Sequence, residues 1–157
     1  MRLGFGLRID PCGMEACWAV QRMYDAFEPK GSVQGMPPVA DYARNTWVEA
    51  IMGVSWNFVL RQGHRVVGHA AAIVDRRRGE AEYLVFILPA YQRQGLGSAL
   101  TGLALDYLRQ RGIKRVVLEV RNDNSGALNL YRKLSLRFPR TNDAPRYSAA
   151  CCLELAA

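Results

Sequence analysis

The sequence predicts a single-domain mixed α/β (α+β) fold, residues 1–157, with about seven strands in one sheet flanked by about four helices. Three observations carry this expectation. Half of the 157 residues are apolar, which suits one domain with a full core. Apolar spacing switches several times between strand-like and helical periods. The resulting order, β-α-α-β-β-β-α-β-α-β-β, departs from a strict βαβ alternation.

Each element has its own signal. Phe5 to Ile9 reads as a first strand, ended by Asp10-Pro11. Met14 to Phe27 has a helical stripe of Ala16, Cys17, Val20, Met23, Tyr24 and Phe27. Glu28 to Pro38 holds two glycines and three prolines and reads as a loop. Val39 to Met52 is the second helix, with Gly53 placed to end it. Trp56 to Arg61 and Arg65 to Val74 form a hairpin across Gln62-Gly63-His64, and Asp75 to Gly79 is the next turn. Glu80 to Leu88 is a strand with an unbroken apolar stretch, expected in the middle of the sheet and covered on both faces, and Pro89 stops it. Gln94 to Arg111 is the clearest helix, capped by Gly112. Val116 to Arg121 is a strand and Ser125 to Leu134 a helix; Leu136 to Pro139 and Tyr147 to Leu155 close the sheet.

Composition narrows the function classes. A disordered tail, a collagen and a repeat array are excluded. The apolar run Tyr83 to Leu88 is far too short to span a bilayer, and the N-terminus lacks a segment of signal-peptide length. A cytoplasmic protein with no membrane partner is expected. Cys12, Cys17, Cys151 and Cys152 lack zinc-ligand spacing, so no metal is expected, and buried reduced thiols are the simpler reading. His64 and His69 sit in no recognisable motif and read as satisfied strand histidines. The formal net charge of +7 leaves three uses for the excess: nucleic acid, membrane, or a small anionic ligand.

The stretch Pro89 to Leu100 (PAYQRQGLGSAL) joins the apolar strand to the clearest helix. Gly95 and Gly97 let the backbone turn tightly and expose its N–H groups. The helix start adds unpaired donors and the positive end of the dipole. Gln92, Arg93 and Gln94 add side-chain donors and one full charge. Together these make a pyrophosphate cradle.

Two motifs resemble the GNAT N-acetyltransferases, which bind acetyl-CoA. Gln92-x-x-Gly95-x-Gly97 matches the Q/R-x-x-G-x-G/A signature. Leu118 to Tyr131 (LEVRNDNSGALNLY) is similar to the L-E-V-R-x-x-N-x-x-A-x-x-L-Y block of the ribosomal-protein and N-terminal acetyltransferase branch. The close resemblance covers about Ala81 to Leu134. It departs after Tyr131, where the family's Gly-Phe pair is replaced around Leu134-Ser135-Leu136.

The resemblance implies a mostly antiparallel sheet and acetyl transfer from acetyl-CoA to a primary amine. It assigns the pyrophosphate to the backbone of Gln94, Gly95, Leu96, Gly97 and Ser98, with Arg93 nearby, and counts Gln92 among the cofactor-binding residues. It assigns the pantetheine arm to backbone groups of Phe86, Ile87 and Leu88, with Asn124 on the other side. Asn124 or Ser125 also reads as a helix N-cap. Tyr131 is implied as the general acid for the departing thiolate, and a phenol with its ordinary pKa near 10 suits that role. Glu119 is the favoured base. Its own strand places it between Val117 and Arg121 on one face, a costly position unless it is paired or functional, and it keeps the family's spacing to Tyr131. Glu82, on the preceding strand, is the second candidate. Tyr24, Gln34 and Met36 are expected to line the acceptor pocket. A monomer or homodimer is expected.

Three other readings compete. A dinucleotide-binding NAD(P)-type oxidoreductase would use Gly95-x-Gly97 and Glu119, but Leu100 stands at the third glycine position. A nucleic-acid-binding module would use Arg76 to Arg78 and Arg109 to Arg115, but no aromatic-interleaved basic motif accompanies them, so nucleic acid is not an expected partner. A CoA-binding sensor of the same fold would lack turnover, which the retained Glu119 and Tyr131 argue against.

Overall fold

The computed structural model describes every residue except 5, 32–35, 122–123, 135–147 and 156–157, and no side chain at 2–3, 121 or 148–152. Among the described residues, seven strands form one sheet in sequential order, each beside its neighbours in the chain. They are β1 (Arg2–Leu3), β2 (Leu7–Cys12), β3 (Ser55–Gln62), β4 (Arg65–Asp75), β5 (Glu80–Ile87), β6 (Arg115–Arg121) and β7 (Ser148–Glu154). Four α-helices flank it: α1 (Cys17–Asp25), α2 (Asp41–Val54), α3 (Leu96–Gln110) and α4 (Ser125–Lys133). Only β5 and β6 run parallel; the other pairs are antiparallel. This arrangement is unlike the doubly wound parallel sheet that a dinucleotide site requires. Among the described residues, no helix is long and apolar enough to cross a membrane.

Several boundaries move for physical reasons. Pro11 does not end the first long strand but lies within it, opposite Phe58. The short β1 pairs only with Leu7 and Arg8, so Pro11 is beyond its reach and its missing N–H costs no ladder bond on that side. The stripe from Met14 opens with a 3₁₀ turn, Met14–Ala16, before α1 begins. Gly53 does not stop α2, which runs to Val54. The strand expected at 136–139 lies outside the described residues, as does Ser135.

The two faces of the sheet are covered by different helices. Trp56, Phe58, Ala70, Ala72, Ala81 and Tyr83 share the face under α3, where the Tyr83 hydroxyl donates to Thr101 Oγ1 at 3.1 Å. Asn57, Val59, His69 and Phe86 share the opposite face, under α1 and α2. There Tyr24, Phe27, Trp47 and Phe86 pack edge to face at centroid separations of 5.1 to 6.2 Å, apart from the tilted Tyr24–Phe27 pair at 6.5 Å.

A buried polar chain fixes this second face. His69 is fully buried, with Nδ1 at 2.9 Å from the Tyr24 hydroxyl and Nε2 at 3.1 Å from Asn57 Oδ1. The Asn57 amide nitrogen donates to the carbonyls of Met52 and Ser55, so Oδ1 must accept. His69 therefore carries its proton on Nε2 and accepts from Tyr24 on Nδ1. Burial pushes its pKa down to about 3, and it is neutral. His69 is thus the satisfied strand histidine that the sequence suggests.

Candidate active site

The site forms where β5 and β6 part. Their parallel ladder has three rungs, Glu80 with Arg115, Ala81 with Val116, and Glu82 with Val117. Beyond them the strands separate, although both continue, β5 to Ile87 beside β4 and β6 to Arg121 beside β7. The Leu88 N–H is bonded to the Val67 carbonyl of β4 at 2.9 Å. Backbone groups alternate along a strand, so Leu88 and Phe86 direct theirs to β4, while Tyr83, Val85 and Ile87 direct theirs into the gap. Of the three residues expected at the pantetheine arm, Ile87 alone faces the opening. Val85 joins it, which the bare motif could not show.

The loop after β5 is built to present amides. Pro89–Tyr91 forms a 3₁₀ turn, closed by the Tyr91 N–H on the Leu88 carbonyl at 2.8 Å. Gln92 Nε2 donates to the Ile87 carbonyl at 2.8 Å, and Gln94 Nε2 to the Ala90 carbonyl at 3.0 Å. These two side chains therefore brace the loop, and Arg93 is the exposed cation of the triplet. Arg93 and Gly95 both take left-handed backbone angles, φ 60° and 77°. Glycine adopts this region without steric cost; arginine does not. Gly95 is the N-cap of α3 and supplies no side-chain bond to it. The amides of Leu96, Gly97 and Ser98 are thus the unspent donors of the first turn. A Cβ on Gly97 would sit 3.5 Å from Leu130 Cδ2 and 3.8 Å from Ile87 Cγ1, so this turn packs directly on β5 and α4. An anion of pyrophosphate type fits this arrangement of donors, dipole and guanidinium.

The other candidates lie on the two parting strands and on α4, which packs against the start of α3. Tyr131 lies in α4, is 5% exposed, and acts electrostatically on Tyr83, whose side chain is on the α3 face. Burial pushes the Tyr83 phenol well up, with Tyr131 adding to the effect and the bond to Thr101 opposing it. Asn124 caps α4, its Oδ1 accepting from the Ala127 N–H at 3.0 Å. Glu82 and Glu119 share the other face, with Phe86. Glu82 stands on the last paired rung and Glu119 just beyond it. Both carboxylates are exposed, so the burial argument for Glu119 does not hold: its flank is the opening itself.

The acceptor-side residues divide. Tyr24 is completely buried on His69 and supports the wall from within instead of lining it. Met36 is half-buried, and Gln34 lies outside the described residues. Sequence reasoning missed Arg44. It is 3% exposed and binds Asp25, Asp41 and the carbonyls of Pro38 and Val39, tying the covering loop to both helices. The signal was an arginine on the buried stripe of α2. It also missed a cleft of about 540 Å³ beside Leu88, walled by Ala26, Gln62, Arg65, Ala90 and Tyr91. Burial pushes the Cys12 thiol up to about 11 and raises Cys17, which makes both poor nucleophiles.

Comparison with known proteins agrees with this geometry. Residues 20–135 match the model of the Acetyltransferase (GNAT) family. The chain is 32% identical over 147 residues to a mycothiol acetyltransferase of Renibacterium salmoninarum, covering 85% of this chain and 40% of that protein. It thus spans about two fifths of the length of the curated relatives it matches. The structure of the ribosomal-protein-S18-alanine N-acetyltransferase of Escherichia coli superimposes with a TM-score of 0.74 at 25% identity, over 96% of this chain and 95% of that one. A protein from Salmonella typhimurium, solved with acetyl-CoA, shares the fold at 20% identity and a TM-score of 0.72, over 96% and 95%. Two sequence motifs, a parted parallel strand pair and an uncapped helix start thus converge with the family match: the chain belongs to the acetyltransferase (GNAT) family.

Proposed function

We propose that this chain is an acetyl-CoA-dependent N-acetyltransferase, a single domain over 1–157. It transfers the acetyl group to a primary amine of a small molecule, protein or peptide, by direct attack in a ternary complex. One observation carries the reading: the gap between β5 and β6 opens beside the uncapped start of α3 and separates a tyrosine on one face from two carboxylates on the other.

Acetyl-CoA, when bound, supplies the activated thioester and the thiolate leaving group. The amides of Gly95 to Ser98 hold the pyrophosphate, with Arg93 beside them and Gln92 and Gln94 bracing the loop. The free edge of β5 at Val85 and Ile87 takes the pantetheine arm as an added strand, and Asn124 closes it from the α4 side. Tyr131 donates a proton at the departing sulfur. Glu119, or Glu82, removes the proton of the attacking amine through a water. With the base on one face and the acid on the other, the amine proton is removed as nitrogen adds to the carbonyl, and the thiolate is protonated as the tetrahedral intermediate collapses.

Thiol release measured with acetyl-CoA and an amine panel tests the proposal. The panel holds the amine that mycothiol acetyltransferases acetylate, a peptide with N-terminal alanine, a polyamine, an aminoglycoside and an amino acid. The expected result is stabilisation by CoA and thiol release with at least one amine. Stabilisation by NAD but not CoA overturns the reading, and CoA binding without turnover of any amine reduces it to a sensor.

A further inference from the structure

The cradle leaves most of the positive charge unexplained. Of its residues only Arg93 is charged. The remaining excess gathers at the other end of α3. That helix has 15 residues, so its two ends lie about 22 Å apart.

The fold brings two basic segments together there. The N–H groups of Lys114 and Arg115 bond the Gly79 carbonyl at 2.7 and 3.1 Å, which joins the end of α3 to the Arg76-Arg77-Arg78 turn. Opposing carboxylates are few. Asp75 pairs with Arg78, Asp106 with Arg109, and Glu80 and Glu154 with Arg115. Arg76, Arg77, Arg111 and Lys114 have no ion pair among the described residues, and all four are exposed.

Two aromatic rings lie between these cations. The Arg76 guanidinium sits 5.4 Å above the Trp56 ring, and that of Arg111 sits 3.3 Å above Tyr107. Trp56 and Tyr107 pack edge to face at 5.7 Å, and Phe58 supports Tyr107 at 5.1 Å. Arg76, Trp56, Tyr107 and Arg111 thus form a four-membered ladder from the β4–β5 turn to the last turn of α3. Stacking over a ring leaves N–H groups at the guanidinium edge for a ligand, although Arg111 Nη1 donates to the Tyr107 carbonyl at 3.4 Å. It also removes side-chain freedom before any ligand arrives. The sequence has no aromatic-interleaved basic motif; the fold makes one from three separate segments, β3, the β4–β5 turn and the C-terminal end of α3.

We propose that this ladder, with Arg77 and Lys114, is a docking surface for the phosphate backbone of nucleic acid, separate from the acetyl-CoA site. The chemistry favours phosphate over an acidic polypeptide. Rigid guanidinium edges match phosphate in bidentate geometry, and arginines outnumber lysines across the cluster. Binding follows the backbone without reading bases.

Fluorescence anisotropy with a labelled single-stranded RNA of about 20 nucleotides tests this. Micromolar binding is expected at 50 mM salt. Neutralising phosphates with four free cations gives a loss of roughly 50-fold between 50 and 200 mM salt. The double variant Arg76→Glu, Arg111→Glu is expected to bind at least about tenfold more weakly, with a shallower salt slope. Its CoA-induced thermal shift should be unchanged, which verifies that it is folded. Arg93→Ala and saturating CoA should leave RNA binding intact. Four results overturn the proposal: no binding at 50 mM salt, no effect of the double variant, competition by CoA, or equal competition by polyglutamate, which would make the partner an acidic polypeptide.

Discussion

The two ends of α3 receive opposite treatment. At the C-terminal end, the N–H groups of Arg111, Gly112 and Ile113 all bond back to Leu108 or Arg109, and the next two amides bond Gly79. Gly112 turns the chain at φ 81°, and every nearby backbone donor has a partner. At the N-terminal end, Gly95 turns the chain at φ 77° but contributes no side-chain cap, and the first-turn amides stay unspent. Similar left-handed glycines therefore have different uses. One closes a helix in the ordinary way. The other leaves backbone donors and the positive dipole end without a side-chain cap. At the C-terminal end the backbone has no spare N–H for an anion, so only side chains can recognise one there, and the basic ladder lies at that end.

This division of labour can be broken by substitution. The largest effect is expected at the open end. Tyr131→Phe should lower kcat by about 100-fold or more while leaving CoA affinity within about twofold. Equal losses in both would make Tyr131 a packing residue, as its 5% exposure alone suggests. Gly95→Val forces a β-branched residue into the left-handed region, and about tenfold weaker CoA binding is expected by calorimetry. Unchanged affinity would show that the cradle does not depend on this turn.

Away from both ends, His69 should affect stability alone. Its folded pKa, about 3, lies below the ordinary value, so the unfolded chain binds the extra proton between the two. Stability should be full above about pH 6.5 and fall with acid by up to about 1.4 kcal/mol per pH unit. Urea titrations of the native protein and His69→Gln between pH 7.5 and 4.5 test this; parallel slopes would refute it. The smallest effect belongs to the closed end. Gly112→Ala should cost about 1 kcal/mol in stability with CoA binding untouched, because αL strain is local there. A loss of CoA affinity in that variant would mean that the two ends are coupled.

Much of this was legible in the chain. Period and punctuation located β4, β5, α3 and α4 to within a few residues, because the strands are short apolar runs bounded by turn residues and the helices carry apolar stripes. The turn before α3 was legible because two glycines between a strand and a strongly periodic helix mark a tight connection, and the left-handed Gly95 occupies it. Pro11 misled, since the short neighbour that spares it a ladder bond is itself too short to read. Tyr24 misled too: its helical stripe was visible, but its buried partner His69 lies 45 residues away.

By itself, the sequence determined which segments become strands and helices, where the chain turns, and which loop offers amides to an anion. Those are local properties of side-chain period and backbone freedom. The tertiary structure alone decided where β5 and β6 part, that Glu82 and Glu119 share one face there while Tyr131 acts on Tyr83 of the other, and that two arginine segments meet two aromatic rings. Each of these depends on strand register and on contacts between residues far apart in the chain, which no local pattern records.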